Sequence, residues 1–336
     1  MKKCLVLGAA GFLGSHLEHR LKAEGNYVVS VARHQPPYRK SVANELNILD
    51  LTNVAEFHHY YFRHAFDEVY QMAGEVGGIG YIADSANDST ILVNSLKINL
   101  HTLEAIQKAG NVGRVFFASS QCVYPRTIEI DPYSSERISE DEPGMYRECD
   151  ARFENNFAFA REKLYAESLY QAFGRDHGLV VRIGRLGNTY GPYCAWNGNR
   201  AKAVAAICRK VAEAPYASAV ELWGDGTQQR SFTYVEDAIE GILRLMRSDY
   251  SGPVNIAHSE MVTVQELFEV ICEAAGKILA AKPGIGPIGA AVRGSHNGLC
   301  RQVLGWEPTT SLWLGLGGTY SWIKAQVENS IARSAI

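Results

Sequence analysis

Seven residues near the N-terminus, Gly8-Ala9-Ala10-Gly11-Phe12-Leu13-Gly14, have the composition to cradle a diphosphate. They follow a short apolar run, Leu5–Leu7, and open a helical pattern, Leu13–Ala23. Glycine at positions 8, 11 and 14 permits a tight turn, close approach of phosphate to backbone, and close helix–strand packing. The helix N-terminus then faces the anion. This predicts a dinucleotide site holding Gly8, Gly11, Phe12, Leu13 and Gly14. Its preference is read from the end of the next strand, Tyr27–Val31, where an NAD site commonly carries a carboxylate for the ribose 2′-hydroxyl. Here Ala32 is followed by Arg33, with Arg39 and Lys40 nearby. Arg33 is a candidate partner for the 2′-phosphate of NADP, a solvated loop residue, or a cation stacked on adenine. Asp50, after Leu46–Leu49, is an adenine-side carboxylate or a plain turn residue.

The seven cysteines, Cys4, Cys122, Cys149, Cys194, Cys208, Cys272 and Cys300, are scattered and none makes a C-x-x-C pair. That argues against a disulfide framework and against a metal site. Most read as reduced, packed thiols.

The elements that must position these groups alternate. Further strand candidates are Glu68–Gln71, Arg114–Phe117 and Leu179–Ile183, with helical segments Leu92–Ala109 and Phe153–Phe173 between them. Such alternation predicts an α/β fold with a doubly wound parallel sheet of modified Rossmann type. After about Gly191 the pattern loosens. Phe232–Leu245 reads as strand then helix, and Pro283–Pro287 as a loop. We expect a dinucleotide-binding Rossmann domain over 1–185. A smaller C-terminal substrate-binding lobe over 186–330 should make returns to the main sheet.

The 336 residues are 46% apolar and 21% charged, with a formal net charge of -3. This gives no general pull toward nucleic acid or acidic lipid. No stretch approaches the roughly 20 apolar residues of a membrane span. The first apolar run is too short for a signal segment. The expectation is a cytoplasmic enzyme with neither a nucleic-acid nor a membrane partner.

The G-x-x-G-x-x-G spacing resembles the short-chain dehydrogenase/reductase superfamily. In its extended members, a segment such as Ala118-Ser119-Ser120-Gln121-Cys122-Val123-Tyr124-Pro125 supplies a catalytic hydroxyl, which maps onto Ser120. Its partner is a Tyr-x-x-x-Lys helix, whose spacing puts both side chains on one face. The lysine lowers the tyrosine pKa so that the phenol acts as a base. Here Lys163 is in place, but the position four residues before it is Phe159. Phenylalanine cannot exchange a proton. The chain is either an inactivated variant that traps substrate or a natural homologue with altered chemistry. The intact remainder of the site favours the first. Another Tyr-x-x-x-Lys, Tyr320–Lys324, lies in an amphipathic helix where tyrosine reads as a packing residue.

Three stretches narrow the resemblance: Ala73-Gly74-Glu75-Val76-Gly77-Gly78-Ile79-Gly80; Arg182–Pro192 with Trp196–Ala203 and Cys208–Lys210; and Leu222–Thr233 with Pro253–Ile256 and Val292–Gly294. Together these resemble the GDP-mannose 3,5-epimerase family over nearly the whole chain. The resemblance implies that Cys122 and Lys202 are the acid/base pair. Hydride leaves C-4 of the hexose, the ketone acidifies C-3 and C-5, one group removes a proton and the other returns it, and hydride is restored. It further implies a diphosphate clamp from Lys210, Arg230 and Arg293, a sugar-nucleotide contact at Asn188, and close backbone approach at Gly77 and Gly78. Ala73 and Lys163 fall with the cofactor. The family's usual homodimer is a four-helix bundle built from Leu92–Ala109 and Phe153–Phe173.

The chain departs from the family at Phe159, Ala32-Arg33, Gln121 and Glu129–Arg147. Arg33 tilts the cofactor toward NADP, while the resemblance implies NAD. The rivals are a nucleotide-sugar 4-epimerase or 4-dehydrogenase, which needs neither Cys122 nor Lys202, and a non-catalytic nucleotide-sugar and NAD(P)-binding protein.

Overall fold

The computed structural model describes residues 1–61, 64–110, 112–124, 157–288 and 291–334. In chain order the strands are β1 (Lys3–Leu7), β2 (Tyr27–Ala32), β3 (Glu45–Ile48), β4 (Phe66–Gln71), β5 (Val112–Ser120), β6 (Val180–Leu186), β7 (Asn188–Tyr190), β8 (Ala219–Trp223), β9 (Gln229–Tyr234), β10 (Pro253–Ile256), β11 (Met261–Thr263), β12 (Ala280–Gly284) and β13 (Val292–Arg293). The α-helices are α1 (Phe12–Ala23), α2 (Val54–Tyr61), α3 (Ile79–Ile82), α4 (Asp88–Ala109), α5 (Phe157–His177), α6 (Ala203–Glu213), α7 (Val235–Arg247), α8 (Val264–Ala275), α9 (Gly298–Leu304) and α10 (Leu312–Ser334).

Seven strands form one parallel sheet in the order β3-β2-β1-β4-β5-β6-β10. Strand alternation divides its two faces. Leu5 and Leu7 pack with Phe57, Leu103 and Tyr170 on the side of α2, α4 and α5. Cys4 and Val6 pack with Leu17, Ile239 and Met246 on the side of α1 and α7. Strand order reverses between β1 and β4, and the crevice at such a point is where doubly wound sheets bind ligands.

β10 pairs parallel with β6 at the edge of this sheet. A separate core joins α6, α8 and α10 through Val204, Ile207, Leu267, Phe268, Leu316 and Ile323. Tyr320 is buried in it, as a packing residue. α8 begins with a capping box, the Thr263 hydroxyl and Glu266 carboxylate each bonding the other's backbone N–H, and ends at Gly276 in the left-handed region.

The structure corrects one expectation. Pro283 and Gly284 are not loop but the end of β12, paired parallel with β8. A two-stranded ribbon has a free edge on each strand, where proline's missing N–H is tolerated. The helices expected at Leu92–Ala109 and Leu13–Ala23 each start earlier, at Asp88 and Phe12. Positions 153–156, Cys149 and Glu129–Arg147 lie outside the described residues.

Candidate active site

At the tip of β1 the chain turns so sharply that Gly8 has φ +84°, a conformation L side chains rarely adopt. A Cβ there would stand 2.8 Å from the Ala73 backbone, and one at Gly14 only 2.3 Å from the Gly8 carbonyl oxygen. These glycines therefore bring β1, α1 and the end of β4 into backbone contact. Gly11 caps α1 with no side-chain bond, so the N–H groups of the first turn remain available to an anion. This cradle fits a dinucleotide diphosphate.

The Arg33 guanidinium does not stand free at the end of β2. It pairs with Glu75 at 3.1 Å. Burial would push the Asp50 carboxyl up, but the N–H and hydroxyl of Thr52, with Arg33 nearby, hold it below the usual carboxylate range.

One cavity of about 770 Å³ runs from this cradle into the second half of the chain. It is lined by every residue the sequence singled out for cofactor, substrate or proton transfer except Lys163. Lys163 is buried behind it. Its Nζ lies 5.7 Å from the Phe159 ring centroid, 5.0 Å from that of Phe117, and 3.5 Å from the Glu162 carboxylate. Phe159 is buried with Tyr81, Ile82, Ile91 and Ala158, and Cys122 borders that cluster.

The end of β5 is held by a buried network. Ser119 donates to Glu167, which takes a forked pair of bonds from Arg185 at 3.0 and 2.8 Å. Arg185 also donates to the Tyr124 hydroxyl, which donates to Asn255 on β10. On that anchored segment the Ser120 Oγ accepts the Cys122 backbone N–H at 3.1 Å. The Cys122 sulfur in turn takes a bond from Arg293 Nη1 at 3.1 Å. Arg293 thus lies at the thiol end of the cavity, in register with Arg230 across the β9–β13 pair.

Lys202 is the residue before α6 and opens into the cavity. Its side chain keeps solvent contact, yet the protein packed round it makes its charge costly and holds its pKa below the ordinary lysine value, while the nearby Cys122 and Cys194 pull the other way. Its place is set by Gly78, whose N–H donates to the Arg200 carbonyl at 3.0 Å. A Cβ at Gly78 would fall 2.1 Å from the Ala201 carbonyl oxygen. Gly78 therefore permits chain-to-chain contact, and a Cβ on Gly77 would meet the Tyr81 side chain at 2.8 Å. Lys210 donates to the Glu221 carbonyl and sits 5.8 Å from the Trp223 ring centroid. Arg230 donates to the Gln229 and Ala291 carbonyls, and the Asn188 amide to that of Ser231.

Two residues here escaped sequence reasoning. Glu75 is buried and accepts from Arg33, Arg200 and the Tyr81 hydroxyl. Burial would raise its pKa, yet the Arg200 bond and the two guanidinium charges hold it below the usual range. Arg200 also stacks 3.9 Å over the Tyr81 ring and donates to the Val76 carbonyl. This clasp locks the 73–80 loop to the 198–202 segment. The available signal was opposite charge inside two of the motif stretches, at a separation of 125 residues. Among the described residues, no group of His, Cys, Asp or Glu side chains could hold a metal, and no helix is long and apolar enough to cross a membrane.

A parallel sheet with a glycine cradle at its reversal point, opening onto a cavity with hydroxyl, thiol and amine, defines a nicotinamide-dinucleotide enzyme of Rossmann type. A profile described as the NAD dependent epimerase/dehydratase family matches residues 4–257, and the chain belongs to that family. The chain is 37% identical to a GDP-mannose 3,5-epimerase 1 from Oryza sativa subsp. indica, over 96% of this chain and 82% of that protein. It is also 37% identical to the GDP-mannose 3,5-epimerase of Arabidopsis thaliana, over 99% and 85%. Its fold resembles the UDP-glucose 4-epimerase of Thermus thermophilus in complex with NAD. That likeness has a TM-score of 0.79 and 24% identity, covering 96% of this chain and 99% of that one. The protein is a nucleotide-sugar epimerase.

Proposed function

We propose that the reaction is 3,5-epimerisation of a GDP-hexose of the GDP-mannose kind, with NAD as the dinucleotide. The observation that carries this reading is that Cys122 and Lys202 open into the same cavity as Ser120 and the glycine cradle. A 4-epimerase needs no such pair. The relatives at 37% identity bear the GDP-mannose name. NAD is favoured because Arg33 is already engaged by Glu75, and because the family's description names NAD.

Bound NAD would supply the reversible oxidation at C-4. The chain's own residues do the rest. Lys210 and Arg230 offer cations to the diphosphate, and Asn188 a polar contact in the cavity wall. Ser120, on the cavity wall, would hydrogen-bond O-4. A ketone at C-4 acidifies C-3 and C-5, where Cys122 removes a proton and Lys202 returns one. Arg293 holds the sulfur in position. Phe159 lacks the phenol that would take the O-4 proton, so oxidation of a 4-hydroxyl is the impaired step.

We also infer a homodimer. Val93 and Leu100, seven residues apart on α4, and Tyr165 on α5 are exposed, and the two helices pack side by side. Leu100→Glu with Tyr165→Glu should give a monomer by light scattering. The function is tested by incubating GDP-mannose with the Phe159→Tyr variant in D₂O. Deuterium at C-3 and C-5 is expected, and its absence from both positions would refute 3,5-epimerisation.

A further inference from the structure

The loss of one hydroxyl at Phe159 disables only half of the chemistry that this cavity is built for. Oxidation at C-4 needs a base for the O-4 proton. Proton exchange at C-3 and C-5 needs only a ketone already at C-4, an acid and a base. Phe159 removes the first requirement's residue, while Cys122 and Lys202 remain in the cavity wall. We propose that the chain as it stands epimerises a nucleotide sugar that arrives already oxidised at C-4. This rests on the assignment of Cys122 and Lys202 above, and changes the substrate from a 4-hydroxy to a 4-keto sugar.

The step balances without an oxidant. The Cys122 thiolate takes the hydrogen from C-3 or C-5 as a proton, forming S–H. The C–H electron pair moves into an enolate whose charge rests on O-4. The Lys202 ammonium gives a proton to the opposite face of that carbon, the enolate collapses back to the ketone, and the new C–H bond has inverted configuration. Thiol and amine then reset by exchanging protons with water. No hydride moves, so the dinucleotide is neither oxidised nor reduced.

Such a substrate asks its site for hydrogen-bond donors to O-4 rather than for a base there. The wall supplies them. The Ser120 oxygen already accepts the Cys122 N–H, which leaves its own hydrogen to donate. Beside it, Gln121 lines the cavity at 2% exposure, and neither amide atom has a partner among the described residues. A carboxamide donates without ever taking the proton, as a 4-keto substrate requires. A 4-oxidation or a 4,6-dehydration of a nucleotide sugar must therefore supply this protein, and a 4-ketoreduction must consume its product.

The probe is GDP-4-keto-6-deoxymannose, made by enzymatic 4,6-dehydration of GDP-mannose and incubated with the unaltered chain in D₂O. Mass spectrometry and NMR should show deuterium at C-3 and C-5 well above the enzyme-free rate. Cys122→Ser and Lys202→Ala should each slow that exchange by about 10²–10⁴, and Gln121→Leu by about 10². GDP-mannose itself should neither exchange nor change nicotinamide absorbance until Phe159→Tyr restores turnover. The proposal is overturned if the unaltered chain inverts GDP-mannose as fast as the Phe159→Tyr variant. It is also overturned if the keto probe exchanges no faster than the blank while Phe159→Tyr turns over GDP-mannose, an outcome that leaves the proposed function standing. If neither substrate exchanges with either the unaltered chain or the Phe159→Tyr variant, both readings fall.

Discussion

The dinucleotide cradle and the proton-transfer wall share one cavity but are built by opposite means. The cradle is backbone. Gly8, Gly11 and Gly14 lie within a single strand–turn–helix unit, and what matters is the side chain they lack. The wall is side chains delivered from distant segments: Ser120 at the end of β5 and Cys122 just after it, Lys202 before α6, and Arg293 on β13. A backbone site tolerates almost any neighbouring chemistry but no added atom. A side-chain site tolerates the loss of one group, as at Phe159, with the fold intact.

Lys202→Ala sets the contrast most sharply. It should lower proton exchange by about 10²–10⁴ while dinucleotide affinity, followed by fluorescence titration, stays the same. A parallel fall in affinity would show that the two regions are not separable. The same variant tests a pH limb. Lys202 must be charged to return a proton, and its pKa is held below lysine's ordinary 10.5. The exchange rate should therefore fall as pH rises through a value under 10.5, and Lys202→Ala should erase that limb.

Gly14→Ala is the reverse experiment. Its Cβ would meet the Gly8 carbonyl at 2.3 Å, which backbone cannot yield cheaply. Strain of about 3 kcal/mol, the upper end for overpacking, should weaken dinucleotide binding on the order of 100-fold. Unchanged calorimetric affinity would mean that the cradle is not where the dinucleotide sits.

Glu75→Gln strikes the clasp between the regions. Losing the charge that Arg33 and Arg200 share should cost about 1.5–3 kcal/mol by urea unfolding, and reduce exchange by displacing Lys202. Because the folded carboxyl titrates below its ordinary value, its contribution is present above that value and lost as pH falls through the folded pKa. The variant's deficit should therefore shrink toward acid pH. A deficit that persists unchanged there would count against the ion pairs.

Arg33→Ala carries the smallest expectation. With Arg33 half exposed and paired to Glu75, NAD affinity should change by less than about 1 kcal/mol. A selective loss of NADP binding larger than that would return the preference to NADP.

Much of this was legible beforehand because it is local. The strand–glycine–helix unit, the alternation up to β6, and Phe159 four residues before Lys163 are all fixed by periods of two or 3.6 residues. The β12 strand was not legible, since Pro283 suits a loop and an edge strand equally. Nor was what Gly78 approaches, since the close backbone approach expected there finds its partner only when the Ala201 carbonyl is seen beside it.

The sequence by itself determined the dinucleotide cradle, a matter of residue identity at short spacing within one strand–turn–helix unit, while the thiol–amine pair and the missing phenol followed from its family resemblance. Only the tertiary structure decided that Arg293 grips the Cys122 sulfur across 171 residues, that Glu75 claims Arg33, and that Gln121 faces the cavity with no partner among the described residues. Those outcomes depend on which strand ends the sheet order brings together, and short spacing carries no record of that order.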